Sequence, residues 1–443
     1  MRRTLPLLAI LLATSLAAAQ SLTFWTTEEQ PQRIETQQAI AAAFEAETGI
    51  SVAVVPVTES SLGERMTAAF AAGDLPDVVF HPINYTIGWA EAGILDTAAA
   101  TESVANLGVD TFGAGALALM TYGGENTAVP TDGWTQLLLY RSDLFTERTL
   151  AAPTSYATIL EAARALHDPP NMYGFVAATD PSQDYMMQVV EHLALANGVQ
   201  LVDDDGNVTI DTPAFVEFLE FYKELAEMSP PGNLYWLQSR ELYPGGQAAM
   251  VVWSPFVLDE LAGLRDEAPV IADEAFERGW LARNTGFVTS VSGPSYPAGS
   301  GYAQVQGLGI TVDADIEAAQ AFVEYLVTDG YLDWLGMAAE GKFPVRSGTP
   351  DEPTRFVDGW ADLEVGVDAR APLGDFYSAD VIDDLVAGLE TGDRWAFRQG
   401  QGGLVTSLYG TRVMSEAIRR YLDGELTAEG TAALIQLEVE SLR

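Results

Sequence analysis

Carboxylates, amides and aromatic rings gather just past several apolar runs of this chain. Thr27, Glu28 and Glu29 follow Leu22-Thr-Phe-Trp25, and His81, Asn84 and Tyr85 follow Pro76-Asp-Val-Val-Phe80. Trp134 stands in a polar break, Asp184 and Tyr185 open a helical stretch, and Trp253 and Phe256 flank Ser254-Pro255. Tyr302 follows Gly299-Ser-Gly, and Tyr409 precedes the last long helical stretch. Such groups hydrogen-bond hydroxyls and stack on flat apolar faces, which is the chemistry of holding a ligand. For Glu28 and Glu29 a solvated helix cap is an equally good reading, and His167 and His192 are read as structural. Carboxylate pairs are inevitable among 63 acids, so they argue nothing for glycoside hydrolysis. Three isolated histidines and no His-Glu-x-x-His segment argue against a zinc enzyme. No metal and no cofactor is expected.

Positioning these groups falls to alternating strands and helices. Ser21 to Trp25 reads as a buried strand, Arg33 to Thr48 as a helix stopped by Gly49, and Ile50 to Val57 as a second strand. Leu62 to Ala72 is helical up to Gly73, and 76–80 is a third strand. Strand, helix, strand, helix, strand within sixty residues predicts parallel pairing with right-handed crossovers. Ligands of such sheets sit beyond the carboxyl ends of the strands, here 26–30 and 81–85. Val129-Pro130, a polar break and then Leu137-Leu-Leu-Tyr140 suit a crossing between two lobes. Helices are predicted over 153–166, 184–196 and 213–228, and a strand over 248–253. Asp203-Asp-Asp-Gly-Asn207 invites a calcium reading, but its glycine falls at the wrong step and no glutamate closes the loop. A tight turn between 199–202 and 208–210 fits better.

The 443 residues exceed what one core usually holds, and a 48% apolar content is too high for a disordered acidic chain. Acids outnumber bases 63 to 22, a net charge of −41 that repels nucleic acid and anionic membrane surfaces. A salty exterior would screen such self-repulsion. Arg2 and Arg3, the apolar run Leu5 to Leu16 and Ala17-Ala-Ala19 have the three parts of a secretory signal peptide, with cleavage expected after Ala19. With zero cysteine there are no disulfides and no thiol catalysis, and a lipid anchor after cleavage is excluded. A free periplasmic protein is the expectation.

The order of motifs resembles the extracellular solute-binding proteins of ABC importers, in the sugar-binding branch that includes maltose-binding protein. The resemblance is carried by Leu22-Thr-Phe-Trp25, Ala72-Gly-Asp-Leu-Pro-Asp-Val-Val-Phe80 and Gly88-Trp-Ala-Glu-Ala-Gly-Ile-Leu-Asp96. Leu138-Leu-Tyr-Arg-Ser-Asp-Leu-Phe145, Gly245-Gly-Gln-Ala-Ala-Met-Val-Val-Trp253, Ala318-Ala-Gln-Ala-Phe-Val-Glu-Tyr-Leu326 and Gly341-Lys-Phe-Pro-Val-Arg346 continue it over nearly the whole mature chain. One departure is Arg141-Ser142, where asparagine is usual after the tyrosine. The resemblance implies an α/β, two-lobed periplasmic binding protein fold, each lobe a mixed, mostly parallel sheet flanked by helices, joined by hinge crossovers. It implies residues 20–130 plus 290–344 as one lobe and 131–289 plus 345–443 as the other. A ligand closed between the lobes, delivery to membrane permease subunits and a monomeric state follow. It also puts a stacking aromatic near Trp253 and Phe256, and Arg346 in a segment where it is often structural.

Sugars, with apolar ring faces and a rim of hydroxyls, suit the supply of nine Trp, sixteen Tyr and eighteen Phe. A mono- to oligosaccharide is therefore expected. The alternatives are a secreted carbohydrate-active hydrolase or binding of another solute, such as a glycerol phosphodiester or a polyamine. Only two lysines, Lys223 and Lys342, are available for a phosphate.

Overall fold

The computed structural model describes residues 20–265 and 277–443; the expected signal peptide, 1–19, lies outside the described residues. The predicted opening succession is present: β1 (Ser21–Thr26), α1 (Pro31–Thr48), β2 (Ser51–Pro56), α2 (Glu59–Ala72), β3 (Val78–Pro82) and α3 (Ile83–Glu91). Gly49 and Gly73 close α1 and α2 at φ 78° and 66°, a left-handed turn that glycine makes without a β-carbon clash. β1 pairs parallel with both β2 and β3, since each helical crossover returns the chain in the same direction.

The first sheet runs Phe343–Pro344, Val129–Thr135, Tyr296–Ile310, β3, β1, β2. The long strand Tyr296–Ile310 is antiparallel to both neighbours, so the sheet is mixed. At Gly133 a β-carbon would meet the carbonyl of Gln304 at 2.6 Å, so glycine is what lets these two strands approach. Phe24 and Phe44 both pack edge-on to Phe322, at 5.5 and 5.3 Å between centroids, which fastens β1 and α1 to the helix Ile316–Leu326.

A second, three-stranded sheet has Leu137–Arg141 at its centre, antiparallel to Met250–Trp253 and Thr285–Val288. Parallel bridges Tyr173–Ala248 and Val176–Val251 extend it. Its paired strands are thus antiparallel where a mostly parallel sheet was expected, because the chain enters on 137–141 and returns on 285–288. Only Gln136 separates the strands Val129–Thr135 and Leu137–Arg141, and it marks the passage from one sheet to the other. The Asp203 segment is a turn, closed by the bridge Val202–Val208 and by Asn207 N–H donating to Asp203 at 2.8 Å. Among the described residues no helix is long and apolar enough to cross a membrane.

Candidate functional site

Between the two sheets lies a cleft of two adjoining chambers of about 390 and 440 Å³. Trp134 reaches it from the end of one crossover strand, Gln136 from the crossing itself, and Trp253 from the end of the second-sheet strand. Asp184 and Tyr185 come from the first turn of the helix Asp184–Leu195, whose positive amino end favours an acid there. Trp236, 41% exposed, completes an aromatic wall: Tyr185 and Trp253 are 4.8 Å apart, and Trp236 and Trp253 6.5 Å. The wall is held in place because Tyr185 O–H donates to the carbonyl of Val252 at 2.9 Å. Burial raises that hydroxyl's pKa further above its ordinary value.

The second chamber is more polar. Asn84, Glu59, Gln304, Arg394, Tyr409 and Arg412 line it. Buried Arg394 donates through Nε to Glu191 Oε1 at 2.8 Å and through a terminal nitrogen to Gln304 Oε1 at 2.6 Å, and its guanidinium lies 4.4 Å from the Tyr302 ring. Tyr409 O–H donates to the other Glu191 oxygen at 2.7 Å. Burial foremost, partly offset by Arg394, pushes the Tyr302 hydroxyl up to about 12. His192 accepts from the Tyr302 backbone N–H at 3.1 Å, and burial holds its imidazole down at about 4. Arg412 pairs with Asp184, so both cleft arginines are ion-paired.

Seven predicted residues therefore line the cleft: Asn84, Trp134, Asp184, Tyr185, Trp253, Tyr302 and Tyr409. The other seven fall outside its lining. Glu28 is buried in an ion cluster, 2.6 Å from Lys342 Nζ and bonded to Arg33; burial would raise its carboxyl, but these two cations outweigh it and the net shift is downward. Thr27 belongs to the same turn, its carbonyl accepting from the Glu29 N–H at 3.0 Å, and Glu29 accepts from Thr58. His81 is fully buried under Trp89, with Nδ1 3.1 Å from the carbonyl of Pro82 and a pKa lowered by burial to about 4. Tyr85 stacks on Trp89 at 4.8 Å. Phe256 lies against Gly341, where a β-carbon would come within 2.0 Å of its ring, so of the expected aromatic pair only Trp253 faces the cleft. Arg346 is buried among the carbonyls of Leu107 and Val327 and the hydroxyl of Thr111, a structural position.

Sequence reading missed Gln136, Gln188, Trp236, Arg394 and Arg412. Gln136 carried a usable signal, as the polar residue in the break between two strands. Basic residues so scarce in an acidic chain were another.

Two sheets joined by crossover strands, with a walled cleft between them, define a two-lobed binding protein of the α/β class. The chain belongs to the bacterial extracellular solute-binding protein family, whose profile matches residues 30–332. It is 24% identical over 429 residues to YcjN of Escherichia coli K12, named as an ABC transporter periplasmic-binding protein, covering 95% of this chain and 92% of that one. The structure of the cyclic alpha-maltosyl-1,6-maltose binding protein from Arthrobacter globiformis matches with a TM-score of 0.72 at 14% identity, over 96% of this chain and 99% of that one. An ABC transporter solute-binding protein from Thermotoga lettingae, bound with alpha-D-tagatose, matches with a TM-score of 0.66 at 20% identity, over 96% and 99%. These likenesses are of fold.

Proposed function

We propose that this protein captures a saccharide, mono- to oligosaccharide, between its lobes and presents it to the membrane permease subunits of an ABC importer. The observation that carries the reading is the joining, in one cleft, of the flat faces of Trp134, Trp236 and Trp253 with the planar polar groups of Gln136, Gln188 and Asp184. Rings stack on the former and hydroxyls bond to the latter. The sugars named with the Arthrobacter and Thermotoga proteins support the same ligand class. Both cleft arginines already carry a carboxylate partner, Arg394 with Glu191 and Arg412 with Asp184, which counts against a phosphodiester.

In this reading the lobes are 20–130 with 290–344 and 131–289 with 345–443, with 131–135 moved to the first because the strand Val129–Thr135 pairs into its sheet, and closure bends the crossover at Gln136. The ligand favours the closed state because only there do both lobes touch it. Residues 1–19 act as a cleaved signal peptide, and the mature protein is a monomer, free in the periplasm without a lipid anchor. It makes and breaks no bonds, so an oligosaccharide incubated with it stays intact.

The test is a thermal-shift screen over a sugar library, where a binder raises the melting temperature by an amount set by its concentration over Kd. No shift with any sugar, but one with an anion or a polyamine, overturns the saccharide reading.

A further inference from the structure

We infer that Gln136 determines specificity: its side-chain carbonyl accepts a hydrogen bond from one hydroxyl of the ligand, at the point where the chain crosses between the lobes. This rests on the saccharide reading and adds to it the direction of one bond. Gln136 stands by itself between the strands Val129–Thr135 and Leu137–Arg141. Its backbone N–H donates to the carbonyl of Tyr302 at 3.1 Å, which ties this crossing to the long strand Tyr296–Ile310. Its side chain lines the cleft, yet the residue is only 1% exposed. There Nε2 makes one long bond, 3.4 Å to Gln188 Oε1, and Oε1 has no hydrogen-bond partner among the described residues.

A buried acceptor without a donor is destabilising, and packing gives no reason to keep one. Two more such atoms sit at the same place. Thr135 Oγ1, on the preceding residue, is buried without a partner among the described residues, and so is His192 Nε2. His192 accepts from the Tyr302 N–H through Nδ1, so the ring proton is on Nε2 and a buried donor is left over. Of these three residues only Gln136 lines the cleft, so a ligand reaches its side chain and not the others. A ligand hydroxyl donating to Oε1 recovers what the unpaired carbonyl loses, and a ligand without a donor at that position forgoes the gain. Because the residue is also where the chain passes between the sheets, the same bond fixes the bend.

The test compares the mature chain with Gln136→Met, which keeps the length of the side chain and removes both polar ends. Without ligand, the variant is expected to melt no lower than the parent, because it deletes an unpaired acceptor and one long bond. Neutral mono- and disaccharides are then titrated by calorimetry, and the tightest is set against its monodeoxy analogues. In the parent one analogue is expected to bind about tenfold more weakly than the intact sugar. In Gln136→Met that analogue and the intact sugar are expected to bind alike, while Gln136→Glu, which keeps an acceptor, still discriminates. A deoxy series that loses affinity equally in the parent and in Gln136→Met removes Gln136 as the acceptor. A ligand-free Gln136→Met that melts well below the parent shows the carbonyl to be paired within the fold and overturns the inference. Binding of no sugar by the parent strikes the saccharide reading, and the melting comparison still decides whether that carbonyl is free.

Discussion

Arg394 donates to Glu191 across 2.8 Å, with both side chains buried, one on the helix Asp184–Leu195 and the other just past the two-residue strand Gly392–Asp393. Glu191 also accepts from the Trp395 backbone N–H at 2.8 Å and from Tyr409. One carboxylate thus ties the cleft-lining arginine and tyrosine to a helix of the second sheet.

Glu191→Ala leaves a buried guanidinium without its counter-charge. The expected loss is about 3–5 kcal/mol of stability, read as a lower urea midpoint. Glu191→Gln, which keeps an acceptor for Arg394, is expected to lose less. Equal midpoints for Glu191→Ala and the parent would show that the pair contributes nothing.

Trp236 and Trp253 line the same chamber but differ in burial. Trp253 is 9% exposed and also packs in the core, so its replacement by alanine is expected to cost about 3–5 kcal/mol of stability as well as affinity. Trp236 is exposed, so Trp236→Ala separates the two effects: a melting temperature near that of the parent, with saccharide affinity down by about 1 kcal/mol, roughly fivefold. Calorimetry at matched folded fraction reads the difference.

His81 and His192 are held neutral by burial, each with a pKa near 4 against an ordinary 6.5. The unfolded chain therefore binds more protons between these values, and stability falls as pH drops from about 6.5 to 4. Each histidine contributes roughly 3 kcal/mol to that loss when both limits are reached. Urea midpoints across this window are expected to fall steadily, and His192→Asn to flatten the slope.

Lys342 holds two carboxylates apart in the first sheet, Glu28 at 2.6 Å and Asp132 at 3.2 Å, beneath the rings of Phe80 and Trp334. Lys342→Met leaves two acids buried without their shared cation, at about 3–5 kcal/mol. With Lys342 gone, only Arg33 offsets the burial of Glu28, so its carboxyl takes up a proton more readily in the folded state and the deficit is expected to shrink as pH falls toward 5. A deficit constant over pH 5 to 8 would count against this account.

Much of the fold was legible along the chain. The spacing of Ile34, Ile40 and Phe44, closed by Gly49, marked α1, and the alternating strands and helices of residues 21–82 led to a parallel arrangement that β1, β2 and β3 adopt. The break between Thr135 and Leu137 marked the crossing. Half the proposed site was legible too, because residues just past strand ends of such sheets face the opening. That rule does not say which side chain of a turn points outward. In 81–85 it pointed equally to His81, Asn84 and Tyr85, yet only Asn84 lines the cleft, since His81 lies under Trp89 and Tyr85 stacks on it.

Sequence by itself determined the elements, their order, and a supply of rings and polar groups for a sugar, because helices, strands and turns answer to neighbours a few residues away. Only the tertiary structure decided which distant groups meet. Asp184 and Arg412 are 228 residues apart, and Glu191 and Arg394 are 203. No local periodicity reports such distances. They follow from strand register and from the way helices dock on sheets, both settled by packing over the whole chain.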